Sequence, residues 1–153
     1  MKSMSDEPRV LIVEGNDVLR TMLFTILRHQ PVGVDTAASG EEALQKVSQC
    51  DYALALVDMD IPDGSGVTFL AEFNDRRPEA TTFVIAVRDP KNETWLDPAL
   101  VSAVLNKPLE IDLLAELVRE CALAVPAPED PLRCPPSESE IRTRMERGPY
   151  LAN

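Results

Sequence analysis

The sequence predicts a doubly wound α/β domain whose five parallel strands lie in the order 2-1-3-4-5. Short apolar runs alternate five times with longer segments in which apolar residues recur every three or four positions. A short run without a polar face is typical of a strand buried on both sides, and the longer spacing is typical of an amphipathic helix. Strict alternation favours parallel strands joined by right-handed helical crossovers, with helices on both faces of the sheet.

The predicted strands are short, and turn or helix-start signals follow them. They cover residues 9–13, 32–37, 53–57, 82–87 and 101–105. Capping residues support the helices between them, because Asn16 or Asp17 would cap the first helix and Ser39 forms a capping box with Glu42 at the start of the second. The last helix of the domain is predicted over residues 111–122, where apolar residues again recur at helical spacing.

One connection, residues 91–100, is too irregular for a long helix. Pro90 and Pro98 bracket it, and Trp95 is one of its few large apolar residues. Because proline lacks a backbone donor and restricts the residue before it, we expect at most a short helix in this connection.

We expect residues 9–124 to form the domain and residues 125–153 to form a proline-rich tail. Five prolines fall between positions 126 and 136, a density that disfavours a packed core. Residues 137–147 are compatible with a short helix, but so few of them are apolar that this helix should be marginal on its own. The tail is therefore expected to be disordered or to hold a marginal short helix.

Charge and composition exclude several classes of function. The chain has 153 residues and a net charge of −11, which disfavours nucleic acids and anionic membranes as partners but is compatible with a protein partner. No run approaches the roughly 18 apolar residues of a membrane helix, and no apolar signal-peptide core is present, so we expect a cytoplasmic protein. The three cysteines lack metal-ligand spacing, and one histidine cannot supply a histidine metal cluster.

Charged residues follow four of the predicted strands. Glu14 follows the first strand, Asp58 and Asp60 the third, Arg88 the fourth and Lys107 the fifth. Because the carboxyl ends of parallel strands meet at one edge of a sheet, we expect these side chains to lie close together. Carboxylates beside a lysine suit phosphoryl transfer to an aspartate nucleophile, with the acids holding Mg²⁺ and the lysine neutralising charge.

This arrangement resembles the receiver domain of two-component response regulators over residues 9 to about 124. Three strings carry the resemblance: residues 10–14 (VLIVE), residues 55–66 (ALVDMDIPDGSG) and residues 107–109 (KPL), with Arg20 as the arginine often found on the first helix. The resemblance implies a flavodoxin-like (βα)5 fold and a single-domain receiver that acts in phosphorelay signal transduction through protein–protein contacts.

By the same resemblance, Asp58 is the phosphoacceptor and Lys107 pairs with the phosphoryl group or with Asp58. Glu14, Asp58 and the backbone carbonyl of Asp60 are the implied Mg²⁺ ligands. The implied partners are a sensor histidine kinase or phosphotransfer protein and a downstream protein, with homodimer formation left open. No enzymatic activity is expected beyond the protein's own phosphoryl transfer to Asp58.

Three residues depart from the family pattern. Gly15 replaces the second acid after the first strand, which predicts weak or absent Mg²⁺ binding. Arg88 stands in place of the switch Ser or Thr, and Val104 stands in place of the switch aromatic. These departures also suggest a pseudo-receiver, in which Arg88 pairs with Asp58 as a fixed guanidinium and locks the domain in one state.

A different class of protein fits part of the pattern. Asp58 and Asp60 are similar to the Asp-x-Asp pair of haloacid-dehalogenase-type phosphatases, with Lys107 on the phosphate. Against this alternative, two βα units precede the pair, and Glu110 with Asp112 matches that family's downstream acids poorly. A flavodoxin-like flavin binder is a third option, but the loop after the first strand lacks a phosphate cradle.

Overall fold

The computed structural model describes residues 7–148 and has the predicted sheet, with five strands in the order β2-β1-β3-β4-β5, all pairs parallel. This order confirms the predicted fold class. The strands are β1 (Arg9–Val13), β2 (Gly33–Ala37), β3 (Leu54–Asp58), β4 (Phe83–Arg88) and β5 (Ala103–Asn106). The helices are α1 (Asp17–Leu27), α2 (Gly40–Val47), α3 (Ser65–Arg76), α4 (Ile111–Ala124) and α5 (Glu138–Arg147). Within residues 7–148, no helix combines the length and the apolar character needed to cross a membrane.

The core lies on both faces of the sheet, as the apolar strands predict. All of β3 is buried because the strand lies in the middle of the sheet with helices on either side. On one face, Phe69 of α3 is fully buried and stacks on Phe73 with ring centroids 5.6 Å apart. On the other face, Leu27 of α1 and Val118 of α4 are fully buried. The central strand therefore ends at a position fixed from both sides.

Side-chain caps fix where the helices begin. Asn16 caps α1, because its side chain accepts a hydrogen bond from the amide of Leu19 at 3.0 Å. Ser39 caps α2 and accepts from the amide of Glu42, as predicted. Of the two candidate caps for α1, the structure has Asn16, which leaves Asp17 as the first residue of the helix.

The connection between β4 and β5 contains no helix over residues 89–102, all of which the structure describes. Strand β5 begins at Ala103 rather than at position 101, and the Ser102 hydroxyl instead accepts a hydrogen bond from the amide of Val84. With no helix before it, β5 is a short, partly exposed edge strand, and Val104 is 43% exposed. The side chains of β5 are therefore less buried than those of the central strand β3.

The C-terminal segment forms helix α5 and packs against the other edge strand, β2. The hydroxyl of Ser139 accepts from the amide of Val34 at 2.8 Å, and the Glu138 carboxylate accepts from the amide of Thr36 at 2.8 Å. The amide of Glu138 in turn donates to the buried carboxylate of Asp35 at 2.8 Å. These side chains satisfy outward-facing amides of the edge strand, so this edge is closed to pairing with another strand.

Candidate functional site

The site is centred on Asp58, the last residue of β3, which is only 8% exposed. Its Oδ1 accepts hydrogen bonds from the Lys107 ammonium at 2.9 Å and from the backbone amide of Asp60 at 3.0 Å. Pairing of Asp58 with Val87 of β4 places this carboxylate at the carboxyl edge of the sheet. The structure therefore brings Asp58 and Lys107 together as the sequence predicted.

Lys107 bridges two carboxylates. It follows β5, where its amide donates to the carbonyl of Arg88 at 2.8 Å, and its ammonium lies 2.9 Å from Asp58 Oδ1 and 2.9 Å from Asp60 Oδ2. Burial opposes the charged form, but the hydrogen bonds to both carboxylates raise the pKa of Lys107 above its ordinary value. The Lys107 ammonium is thus the shared ion-pair partner of Asp58 and Asp60.

Asp60 has more partners than sequence reasoning gave it. Its Oδ2 also accepts from the amide of Asp89 at 2.7 Å, and its Oδ1 accepts from the side-chain amide of Asn92 at 2.8 Å. Burial alone would raise its pKa, but the hydrogen bonds from Asn92, Lys107 and Asp89 hold the pKa of Asp60 below its ordinary value. Sequence reasoning missed Asn92; the only signal was a polar residue shortly after the Asp89-Pro90 turn.

Glu14 is the most perturbed acid of the site. It is buried, and its Oε2 accepts from the amide of Asn16 at 3.1 Å. Burial, followed by a hydrogen bond with the Asp58 carboxyl, raises the pKa of Glu14 to about 7, although the amide of Asn16 and the charge of Lys107 act in the opposite direction. Near neutral pH this group therefore holds a proton for a substantial part of the time.

Arg20 supports this loop from outside the site. Its guanidinium donates to the backbone carbonyl of Glu14 at 2.9 Å and pairs with Asp17. This contact holds the turn between β1 and α1 that carries Glu14 and Gly15.

The residues present fit a weak Mg²⁺ site. Mg²⁺ in proteins keeps several waters and needs only one or two carboxylates, which Glu14 and Asp58 can supply. Gly15 adds no carboxylate, and no group of three or more Asp, Glu, His or Cys side chains in residues 7–148 is arranged to hold a metal ion. A proton on Glu14 would compete with the cation, because a metal ligand must be deprotonated.

Arg88 does not pair with Asp58, and this part of the pseudo-receiver hypothesis is wrong for the structure. The Arg88 guanidinium donates to the backbone carbonyl of Thr94 at 2.7 Å, in the connection that follows β4. A guanidinium on a flexible side chain can reach several acceptors, and here it bonds within its own connection while Lys107 pairs with Asp58. Val104, the residue in place of the switch aromatic, lies partly exposed on β5.

The sheet order, together with a buried aspartate at the end of the central strand and a lysine from the last strand, defines an α/β domain of the receiver class. A model of the response regulator receiver domain family matches residues 10–119. The chain therefore belongs to this family, whose members act in two-component signalling, as the strings around Glu14, Asp58 and Lys107 predicted.

Curated relatives share this assignment. The two-component response regulator PhoP of Pseudomonas aeruginosa is 31% identical over 80 residues, which are 52% of this chain and 36% of that protein. The transcriptional regulatory protein TcrA of Mycobacterium tuberculosis is 26% identical over 141 residues, 87% of this chain and 55% of that protein. The chain thus spans from 36% to 55% of the length of these two relatives.

Solved structures show the same fold. The response regulator TrrA of Thermotoga maritima, solved in complex with Mg²⁺ and a beryllofluoride group, matches with a TM-score of 0.62 and 25% identity over 74% of this chain and 98% of that one. A CheY-like receiver domain protein of Methanospirillum hungatei matches with a TM-score of 0.64 and 27% identity over 75% of this chain and 93% of that one.

These matches decide against the phosphatase alternative, which has no support among them. They also include longer proteins with enzymatic names. A cyclic di-GMP phosphodiesterase of Thermotoga maritima is 29% identical over 109 residues, and the match covers 69% of this chain and 28% of that protein. Receiver domains are generally not enzymes, and a match to 28% of that protein is not evidence of catalysis in this chain.

Proposed function

We propose that Asp58 accepts a phosphoryl group from a phosphohistidine of a sensor histidine kinase or phosphotransfer protein, and that the chain then signals through contacts with a downstream protein. The observation that supports this proposal most directly is the fixed orientation of the Asp58 carboxylate. Lys107 and the amide of Asp60 hold Oδ1 at 2.9 and 3.0 Å, which orients Oδ2 as the attacking oxygen.

The chemistry follows from these contacts. Asp58 Oδ2 forms a bond to phosphorus while the bond between phosphorus and the donor nitrogen breaks, and the electron pair of that bond returns to the imidazole. Lys107 stands beside the acceptor and would pair with the negative charge of the transferred group. Glu14 and Asp58 would hold Mg²⁺, which neutralises further charge on the phosphoryl oxygens when it is bound.

The test is labelling of the full chain with a small phosphodonor. We expect incubation with acetyl phosphate and Mg²⁺ to add one phosphoryl group by intact mass, and we expect Asp58→Asn to abolish it. Asp63→Asn is the matched control, because Asp63 is an exposed aspartate in the turn after β3 and should leave labelling unchanged. Absence of labelling in the wild type would contradict the proposal and favour a binding-only pseudo-receiver, and equal labelling of Asp58→Asn would place the acceptor elsewhere.

The surface beside the site supports a protein donor. Exposed apolar side chains lie near the loops that carry Glu14 and Lys107. They are Val18 and Met22 on α1, Leu109 just before α4, and Leu113 and Leu117 in the first half of α4. Such a patch suits the apolar face of a partner helix. We expect Leu113→Glu to slow transfer from a phosphorylated histidine protein while labelling by acetyl phosphate stays normal. Leu123→Glu, an exposed leucine at the far end of α4, should affect neither reaction.

A further inference from the structure

The connection between β4 and β5 is tied to the site through the side chain of Asp60. One oxygen of this carboxylate accepts from the Lys107 ammonium at 2.9 Å and from the amide of Asp89 at 2.7 Å. The other oxygen accepts from the side chain of Asn92 at 2.8 Å, and the same amide group of Asn92 reaches the carbonyl of Met59 at 3.2 Å. Asp60 is thus the point where this connection meets the site.

Further hydrogen bonds close the connection into a small unit. Asn92 accepts from the amide of Thr94 at 3.2 Å, and the carbonyl of Thr94 accepts from Arg88 at 2.7 Å. Trp95 follows this unit and is 75% exposed. A displacement of Asp60 would therefore move residues 89–94 together and change the surroundings of the only tryptophan in the chain.

Besides the hydrogen bond from the Asp60 backbone amide to Asp58 Oδ1, the side chains of Asp58 and Asp60 are linked electrostatically through Lys107. Lys107 lies 2.9 Å from a carboxylate oxygen of Asp58 and 2.9 Å from one of Asp60, so one positive charge is shared between two acids. More negative charge on Asp58 draws the ammonium away from Asp60, and removal of the charge from Asp58 leaves the ammonium to Asp60 alone. The side chain of Arg88 carries no hydroxyl to follow a phosphoryl group, and it contacts Thr94.

We propose that Asp60 is a positioning residue that couples the charge of Asp58 to the position of residues 89–95 through their shared partner Lys107. The coupling rests on the proposed function in one respect, namely that phosphorylation is the natural change of charge on Asp58. The coupling predicts that phosphorylation of Asp58 weakens the Lys107–Asp60 pair and speeds amide exchange in the connection. Neutralising Asp58 should strengthen that pair and slow the exchange.

A double-mutant cycle read by hydrogen–deuterium exchange tests the coupling without any phosphoryl group. In the otherwise wild-type chain, Asp58→Asn should slow exchange of the Asp89, Lys91 and Asn92 amides about threefold, the size expected for strengthening one partly exposed ion pair. In the Asp60→Asn background, Asp58→Asn should leave that exchange unchanged. Glu93→Gln removes an exposed charge from the same connection and should preserve the response. An equal response with and without Asp60, or no response in the wild type, overturns the proposal.

Phosphorylation supplies the opposite perturbation. With acetyl phosphate and Mg²⁺, occupancy is measured by intact mass and the connection is followed by exchange and by Trp95 fluorescence. The wild type should show faster exchange and a fluorescence change in proportion to occupancy. Asp60→Asn, compared per phosphoryl group gained, should show neither response. If no phosphoryl group is gained, the proposed function fails, while the double-mutant cycle still decides whether Asp60 couples Asp58 to the connection.

Discussion

The raised pKa of Glu14 predicts a specific dependence of stability on pH. The perturbation is Glu14→Gln, which keeps the size of the side chain and an oxygen that can accept from the amide of Asn16. Because the folded-state pKa of about 7 lies above the ordinary value of 4.5, the native protein binds more protons than the unfolded chain between these pH values. Stability due to this group is therefore greatest at low pH and is lost as the pH rises through about 7.

The size of the effect follows from the two pKa values. Each tenfold change in proton affinity is worth about 1.4 kcal/mol, so ionised Glu14 weakens the folded state by on the order of 3 kcal/mol. Most of this loss falls between about pH 5 and about pH 8. Glutamine has no proton to lose, so the variant should gain that amount of stability over the wild type as the pH rises through the same interval.

The assay is urea unfolding, followed by circular dichroism in the presence of a chelator, at about pH 5 and about pH 8 at one ionic strength. Glu116→Gln, an exposed glutamate on α4, is the control that removes the same formal charge and should show a nearly constant difference from the wild type. A difference between Glu14→Gln and the wild type that stays constant or shrinks with rising pH would refute the reasoning.

Three further predictions concern other parts of the chain. Gly15→Asp should raise Mg²⁺ affinity about tenfold or more by calorimetry without loss of fold, because a Cβ there would meet Ile61 only at an ordinary 3.6 Å. Ser139→Ala should lower the free energy of local opening at Val34 by about 1–3 kcal/mol and so speed exchange of the Val34 amide, which donates to this hydroxyl. Unchanged exchange would show that α5 does not protect the edge strand. Asp35→Asn should lower the free energy of unfolding in urea by about 3 kcal/mol or more, because this buried carboxylate accepts hydrogen bonds from Arg9, Tyr52 and Glu138. A decrease of less than about 1 kcal/mol would contradict that role.

The parallel sheet could be predicted from the sequence because its signals are local. The apolar run before Asp58 has no polar face, which is typical of a short strand buried on both sides. Helix starts were equally local, since Asn16 and Ser39 cap helices from within the same turn. The convergence of Asp58 and Lys107 followed from topology alone, because each residue lies at the carboxyl end of a strand in the same parallel sheet.

The contacts that sequence reasoning could not supply are long-range and polar. Helix α5 has few apolar residues, so nothing in its own sequence showed that Glu138 and Ser139 would bind the amides of β2, about a hundred positions earlier in the chain. The direction of Arg88 also depends on competition, because a flexible guanidinium can reach several acceptors. Here Lys107 pairs with Asp58, and Arg88 bonds to the carbonyl of Thr94.

The glycine at position 15 connects these site features. The Lys107 ammonium pairs with the carboxylates of Asp58 and Asp60, whereas buried Glu14 has only a longer-range electrostatic interaction with it. Burial and the hydrogen bond with the Asp58 carboxyl raise the pKa of Glu14, the acid that has no ion pair with this ammonium, and so favour a proton there. A second acid at position 15 would favour a cation over that proton, which would also relieve the competition between Asp58 and Asp60 for Lys107. The raised pKa of Glu14 and the sharing of Lys107 between Asp58 and Asp60 are thus the two features of the site that an added carboxylate at position 15 should change.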